Sequence, residues 1–518
     1  MTIKQSILSV LTILTAAFVS LSLWDSVSKP QIQSQLELYQ TNLVLQATQW
    51  QPVDGDSSLA AVRDNLFGEP VIEEALKQYR KTRESVTTGL NRVEAQLAGP
   101  IDLQDTVVQD PNLPLERDRL TSLRDTLDLR LGILQVHQDD TQAAIGTWEA
   151  LRDRQTPETR SNSTASLAET AIDLWDDDTV RSPLQTQRQI RSGLEGWFRD
   201  EALERLYEVE GQTDVLAQLQ VDRQQRAERT AFKLILLNGV TILFFAIGIG
   251  LLLFLGWQRI VKGKEAILAL NSAPAWPVSW NWEVVCQVLI LGFFLTFYLG
   301  QTVAAGFVVP LAIKIFHIDA LLAGSQRQAF LILGSYVLAA AAGLGVMFLS
   351  LESFRPLDDR WFGFELRWRD VLWGLGGYWV AIPLVVGVSL LNQQLWQGQG
   401  GSNPILEIAL QEQDWIAIAC FFLTASIAAP IFEELIFRGF LLPALTAYVP
   451  VWGAIALTSL VFAVAHLSLS EVLPLATLGM VLGVVYVRSG NLFASMLLHS
   501  VWNAGTLLSL FVLGSGAA

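Results

Sequence analysis

Nine long apolar runs dominate the sequence, and they leave few folds open. A hydrocarbon core about 30 Å thick takes about 20 residues of helix. Backbone polar groups inside lipid must be satisfied within the segment, which favours helices. The runs lie at 6–24, 234–257, 284–309, 329–351, 371–391, 415–440, 451–469, 472–487 and 492–513, with 472–487 the shortest. The expected fold is all-α: a polytopic membrane helix bundle of about eight C-terminal spans plus an N-terminal anchor. The anchor run has no small-x-small cleavage site near its end, so it is read as uncleaved.

Charge divides the chain. The net formal charge is −15, and residues 25–230 hold 36 Asp+Glu against 22 Lys+Arg, a balance of −14. This segment is expected to be a soluble acidic domain. With no basic excess to displace counterions from phosphate, a nucleic-acid partner is excluded. Cys286 and Cys420 both lie in apolar runs. They offer neither a disulfide framework nor a cysteine zinc site.

Cations in the short loops set an orientation. Arg259, Lys262 and Lys264 follow the second run, Arg355, Arg360, Arg367 and Arg369 precede the fifth, and Arg488 sits in a later turn. The loops at 310–328 and 392–414 are poorer, with Lys314 and Arg327 in the first and none in the second. With nine crossings this puts the N-terminus in the cytoplasm and 25–230 on the exported side of a plasma (or internal) membrane. The expected organisation is an anchor at 1–24, an exported helical domain at 25–230, accessory spans at 231–370 and a functional core at 371–518.

The exported region reads as helical. Segments 129–151 and 197–219 each show helical apolar spacing broken once, the second at Gly211. Both look like the hairpins of tetratricopeptide repeats. Their separation is irregular and Pro100, Pro111, Pro114, Pro157 and Pro183 interrupt the region, so an acidic helical domain without an array is the other reading. The polar stretch 155–167 reads as a linker. His137 has no evident partner and is expected at the surface. The domain is a surface for a protein partner.

Ionisable side chains inside spans cost several kcal/mol and mark function. Here they gather in three places: PIFEELIFRGF (430–440), VFAVAHL (461–467) and LHSVWNA (498–504). Glu434 and Arg438, at i and i+4, share a helix face and neutralise each other. Glu433 is rotated about 100° away and has no local cation. His499 and Asn503 are again i and i+4, and His466 comes from another run. A carboxylate shielded from water suits a general base, and an imidazole with a carboxamide suits an oxyanion. Glu433, His466 and His499 holding zinc with one open position is the alternative. Both routes lead to hydrolysis. An HExxH motif and an intramembrane aspartate pair are both missing.

EELIFR (433–438), FAVAH (462–466) and HSVWN (499–503) resemble, in order and spacing, the EExxxR, FxxxH and HxxxN motifs of the CAAX protease and bacteriocin-processing (CPBP, or Abi) family. The resemblance covers 370–513 and implies a multi-helix intramembrane endopeptidase. By analogy Glu433 activates water with His466, His499 and Asn503 form the oxyanion site, and Glu434, Arg438 and Phe462 support them. Members are often labelled metalloproteases, and a metal-free glutamate mechanism is also argued. The substrate is then a peptide or membrane-tethered protein. The anchor and exported domain look bacterial, where prenylated CAAX proteins are not expected. A non-catalytic membrane scaffold, immunity factor or transporter-like protein is the competing reading.

Overall fold

The computed structural model describes residues 2–27, 32–51, 63, 70–98, 113–154, 164–176, 180, 182–270, 276–317, 324–396, 400 and 414–514, and these contain helices and no strand. They fall into two compact units, Met1–Lys29 with Gly239–Gly514, and Pro30–Asn238 with the chain's tail.

Helix α1 (Ile3–Ser26) opens on a capping box in which Gln5 N–H donates to the Thr2 hydroxyl and Thr2 N–H to the Gln5 side chain. The second unit follows. It comprises α2 (Ile32–Thr48), α3 (Val71–Ala98), α4 (Leu113–Val136), α5 (Thr141–Asp153), α6 (Thr164–Trp175), α7 (Pro183–Gly193), α8 (Gly196–Val209) and the first part of α9 (Thr213–Lys262). One core including Tyr79, Leu131, Trp148, Phe198 and Leu206 holds it together.

The helices end where the chain carries turn residues. Asp139 takes a left-handed conformation, φ 58°, and Asp140 then caps α5 by accepting from Ala143 N–H at 3.2 Å. Gly211, φ 66°, separates α8 from α9. Helix α9 runs 50 residues, far past the second helix of a repeat hairpin. Pro183 opens α7, where its missing N–H costs nothing. Pro100, Pro111, Pro157 and the linker expected at 155–167 lie outside the described residues as far as 163, and 164–167 already belong to α6.

His137 is exposed, as expected from sequence, but it is not without a partner. Helix α8 brings Glu201 to it, with Nε2 2.7 Å from Glu201 Oε2, and Trp197 lies 4.9 Å from its ring. Glu201 also accepts from Gln49 at 2.9 Å and pairs with Arg223. Burial pushes its carboxyl up, but the His137, Arg223 and Gln49 contacts outweigh that and hold it below the usual 4.5. A depressed folded-state value stabilises the fold above the unfolded value, and this stabilisation is lost as pH falls through the folded one. Thermal unfolding of the full chain in detergent should therefore show this unit losing stability as pH drops below 4.5. Glu201→Gln should destabilise it at pH 7 by about 1–3 kcal/mol, since Arg223 loses one carboxylate but keeps Glu204, and flatten the acid dependence.

The first unit is built for lipid. Besides α1 and α9 it holds α10 (Trp282–Ile315), α11 (Gly324–Leu351), α12 (Trp368–Trp396), α13 (Trp415–Leu445), α14 (Val451–Val464), α15 (Val472–Ser489) and α16 (Leu492–Gly514). Eight of these helices among the described residues are long and apolar enough to cross a membrane, so this is an all-α polytopic membrane protein. Helix α14 is the exception. The apolar run goes on to 469, but the helix stops after 14 residues, about 21 Å, and the chain reverses at Leu467, φ 55°. Apolar composition does not distinguish a helix from a turn whose polar groups are satisfied inside the protein. Here Tyr298 Oη donates to the Ala465 carbonyl, and Ser26 Oγ accepts from Leu469 N–H at 3.0 Å.

Helices α10, α11, α13 and α14 share one core, so the segment expected to be accessory packs directly against the motif-bearing helices. Small residues allow the approach. A Cβ added at Gly343 on α11 would stand 2.8 Å from the Gly292 carbonyl of α10 and 3.3 Å from the Phe432 ring of α13.

Candidate active site

The three motifs meet around the ring of Phe462 on α14. Its neighbours are the Phe437 ring at 5.4 Å, the His466 ring at 5.0 Å and the His499 ring at 5.7 Å. The Arg438 guanidinium carbon lies 4.6 Å from the ring centroid.

Helix α13 carries both glutamates and is not uniform. The segments Thr424–Ala428 and Leu435–Leu441 are π-helical, on either side of the α-helical Ala429–Glu434. Such wide turns recur at functional sites. Glu434 is fully buried. Arg438 donates to its Oε1 at 2.7 Å, and His499 Nδ1 lies 3.0 Å from the same oxygen. Arg438 also donates to the Gly479 carbonyl of α15 at 3.2 Å. Glu433 faces elsewhere and keeps 16% of its side chain exposed. Its Oε1 accepts from Tyr336 Oη at 3.4 Å. Its Oε2 is buried without a hydrogen-bond partner, 4.0 Å from His499 Nε2.

His466 lies in the turn after α14, where the last carbonyls of a helix lack donors. Its Nδ1 meets the Phe462 carbonyl at 2.8 Å. A carbonyl only accepts, so Nδ1 bears the proton and Nε2 the lone pair. The carboxylate beneath His499 fixes the same tautomer there.

Asn503 does not point where the spacing suggests. Its Nδ2 donates to the Ala425 carbonyl at 2.7 Å. The cause is local to α13. Ala429 N–H donates five residues back, to Thr424, and the next residue, Pro430, has no N–H to continue the series to Ala425. Asn503 satisfies the carbonyl this leaves, tying α16 to α13.

The structure thus brings Glu433, Glu434, Arg438, Phe462, His466 and His499 together and turns one Asn503 amide proton toward the helix backbone. The zinc set Glu433, His466 and His499 is not assembled in this geometry. Among the described residues no three His, Cys, Asp or Glu side chains are grouped to hold a metal ion. Two side chains were missed from sequence, Tyr298 and Tyr336. The available signal was a phenol in the middle of an apolar run, where a hydroxyl needs a partner.

Comparison with known proteins gives a likeness for the C-terminal segment. Residues 415–505 match the family model of type II CAAX prenyl endopeptidase Rce1-like proteins, the family that the three motifs resemble. The C-terminal segment is thus similar to CAAX-type membrane proteases, which are hydrolases. The chain is also 32% identical over 140 residues to an uncharacterized 24.3 kDa protein of Escherichia coli, a stretch covering 26% of this chain and 62% of that protein. No solved structure matches.

Two variants test this architecture by thermal unfolding in detergent. Arg438→Met should cost about 3–5 kcal/mol by orphaning a buried carboxylate, and adding Glu434→Leu should recover most of it. Asn503→Ala should cost about 1–3 kcal/mol for the unsatisfied Ala425 carbonyl, partly restored by Pro430→Ala, which supplies an N–H.

Proposed function

We propose that this protein is an intramembrane endopeptidase that cleaves a peptide or membrane-tethered protein with water activated by Glu433 and His466. The observation that carries the reading is Glu433 itself. Its Oε2 is buried and free of hydrogen bonds, in a site that also holds the His499 Nε2. A carboxylate so placed can take a proton from water.

In the proposed reaction His466 Nε2 and Glu433 Oε2 accept hydrogen bonds from one water, whose oxygen attacks the peptide carbonyl carbon. Its proton passes to Glu433 and then to the leaving nitrogen as the C–N bond breaks. The second Nδ2 proton of Asn503 serves the oxyanion. His499, whose Nε2 is 4.0 Å from Glu433 Oε2, stands beside that site. Because zinc would require a different arrangement of Glu433, His466 and His499, the route proposed uses none.

The loop cations support an N-terminus in the cytoplasm and residues 25–230 exported across a plasma (or internal) membrane, read as bacterial from the anchor and exported domain, where those residues recruit or gate substrate through a protein partner. Prenylated proteins are not the substrate expected there.

Cleavage of a peptide library by the purified full chain tests the reading. Glu433→Gln and His466→Ala should each reduce kcat/KM by at least about a hundredfold, while a chelator should leave the parent unchanged. Full activity in both variants would remove this site from the reaction. A parent that cleaves nothing would favour the scaffold, immunity-factor or transporter-like reading.

A further inference from the structure

We infer that Tyr336 on α11 is a positioning residue for Glu433, holding its Oε1 so that Oε2 stays turned toward the reacting water. The inference rests on the reading of Glu433 as the base and adds a residue from outside the three motifs and outside the matched segment 415–505.

The glutamate arrives on α13 with nothing of its own helix to hold it. Arg438 and His499 Nδ1 both go to Glu434. The hydrogen bond that Glu433 receives comes from Tyr336 Oη, at 3.4 Å. A carboxylate with one oxygen held and the other free has a defined direction. With neither held, it would sample several rotamers. Effective bases need that direction to within a fraction of an ångström.

The backbone is arranged to let the phenol reach. Gly343 lies seven residues along α11 from Tyr336, two helical turns on, and so on the same face. There the absence of a side chain lets α11 lie against the Phe432 ring, immediately before Glu433. Tyr336 is 8% exposed, its ring packed edge-on to Phe297 at 5.2 Å and Phe432 at 6.4 Å. Phenylalanine would make those contacts equally well. What tyrosine adds is the hydroxyl, which in an apolar bundle is retained at a cost unless it is bonded.

Tyr336→Phe separates the hydroxyl from the packing. Measured on the purified full chain, kcat should fall about tenfold, with KM and the thermal midpoint unchanged. Infrared difference spectra supply a readout independent of turnover. The carboxyl band assigned to Glu433 by its loss in Glu433→Gln should be displaced in Tyr336→Phe. An unmoved band together with parental kcat overturns the inference. If the parent cleaves no peptide, the band alone decides it. If Glu433→Gln remains active, the base assignment fails. If that variant is dead while Tyr336→Phe matches the parent in kcat and band, only the role of Tyr336 fails.

Discussion

The ion pair between Glu434 and Arg438 is the contact on which the membrane unit is organised. Both side chains are essentially sealed from solvent, at 0% and 1% exposure. Taking two charges out of water costs several kcal/mol each, and their attraction offsets that only if further hydrogen bonds complete the site. The structure supplies those bonds from the helices that must be gathered. The Gly479 carbonyl comes from α15, the Phe462 face from α14 and His499 Nδ1 from α16. Each helix therefore docks against a charge on α13. Gly479 permits this close approach, since a Cβ there would stand 2.9 Å from the Ser459 side chain of α14. In lipid, where apolar faces alone give no drive for helices to associate, such polar contacts specify the arrangement.

Aromatic packing covers the other flank. Phe293 and Phe297 on α10 lie against Phe432 at 5.8 and 4.9 Å, and Phe293 meets Phe437 edge-on at 5.0 Å. These rings hold α13 from the side opposite the ion pair. The same helix, α10, delivers Tyr298 to the His466 turn, and its neighbour α11 brings Tyr336 to Glu433. Helix α1 closes behind them, with Lys4 3.0 Å from Glu283 at the start of α10 and Ser26 on the backbone of Leu469. Helices that contribute no motif thus fix the height and rotation of those that do.

Much of this was legible in the sequence, and the limits are physical. Apolar length announced the membrane helices. The i, i+4 spacing set Glu434 against Arg438 and turned Glu433 away, because both follow from helical rotation within one element. What the sequence hid depended on departures from regular helix. The run at 451–469 gave no sign that α14 ends at Val464, since its turn is as apolar as a helix and is stabilised by Tyr298 and Ser26 from distant positions. That early end turns the His466 N–H to Ala463 and leaves the Phe462 carbonyl to the His466 ring, where an uninterrupted helix would have bonded that carbonyl to the His466 N–H. The Asn503 contact with α13 was hidden for a related reason. Its partner exists only because a π turn and Pro430 together free one carbonyl, and neither is visible from the HxxxN spacing. Tyr336 and the Glu201 contact of His137 are tertiary pairings, with no local pattern to announce them.

Glu433 and Glu434 then show how two adjacent, chemically identical residues acquire opposite tasks. A rotation of about 100° between neighbours points one carboxylate into the bundle's interior and the other toward its partly open face. The inward one is tied through its Oε1, on which a guanidinium and an imidazole both converge, and it is sealed from solvent, so it is fixed and unavailable to a substrate. The outward one receives a single phenol and keeps a bare oxygen. Exchanging their environments would require rotating α13 against every helix that docks on the ion pair. The same contacts that hold the bundle together therefore hold Glu433 in its under-bonded state. An under-bonded carboxylate in a low-dielectric site gains most from the arrival of a proton donor, and water is the smallest donor that can reach it.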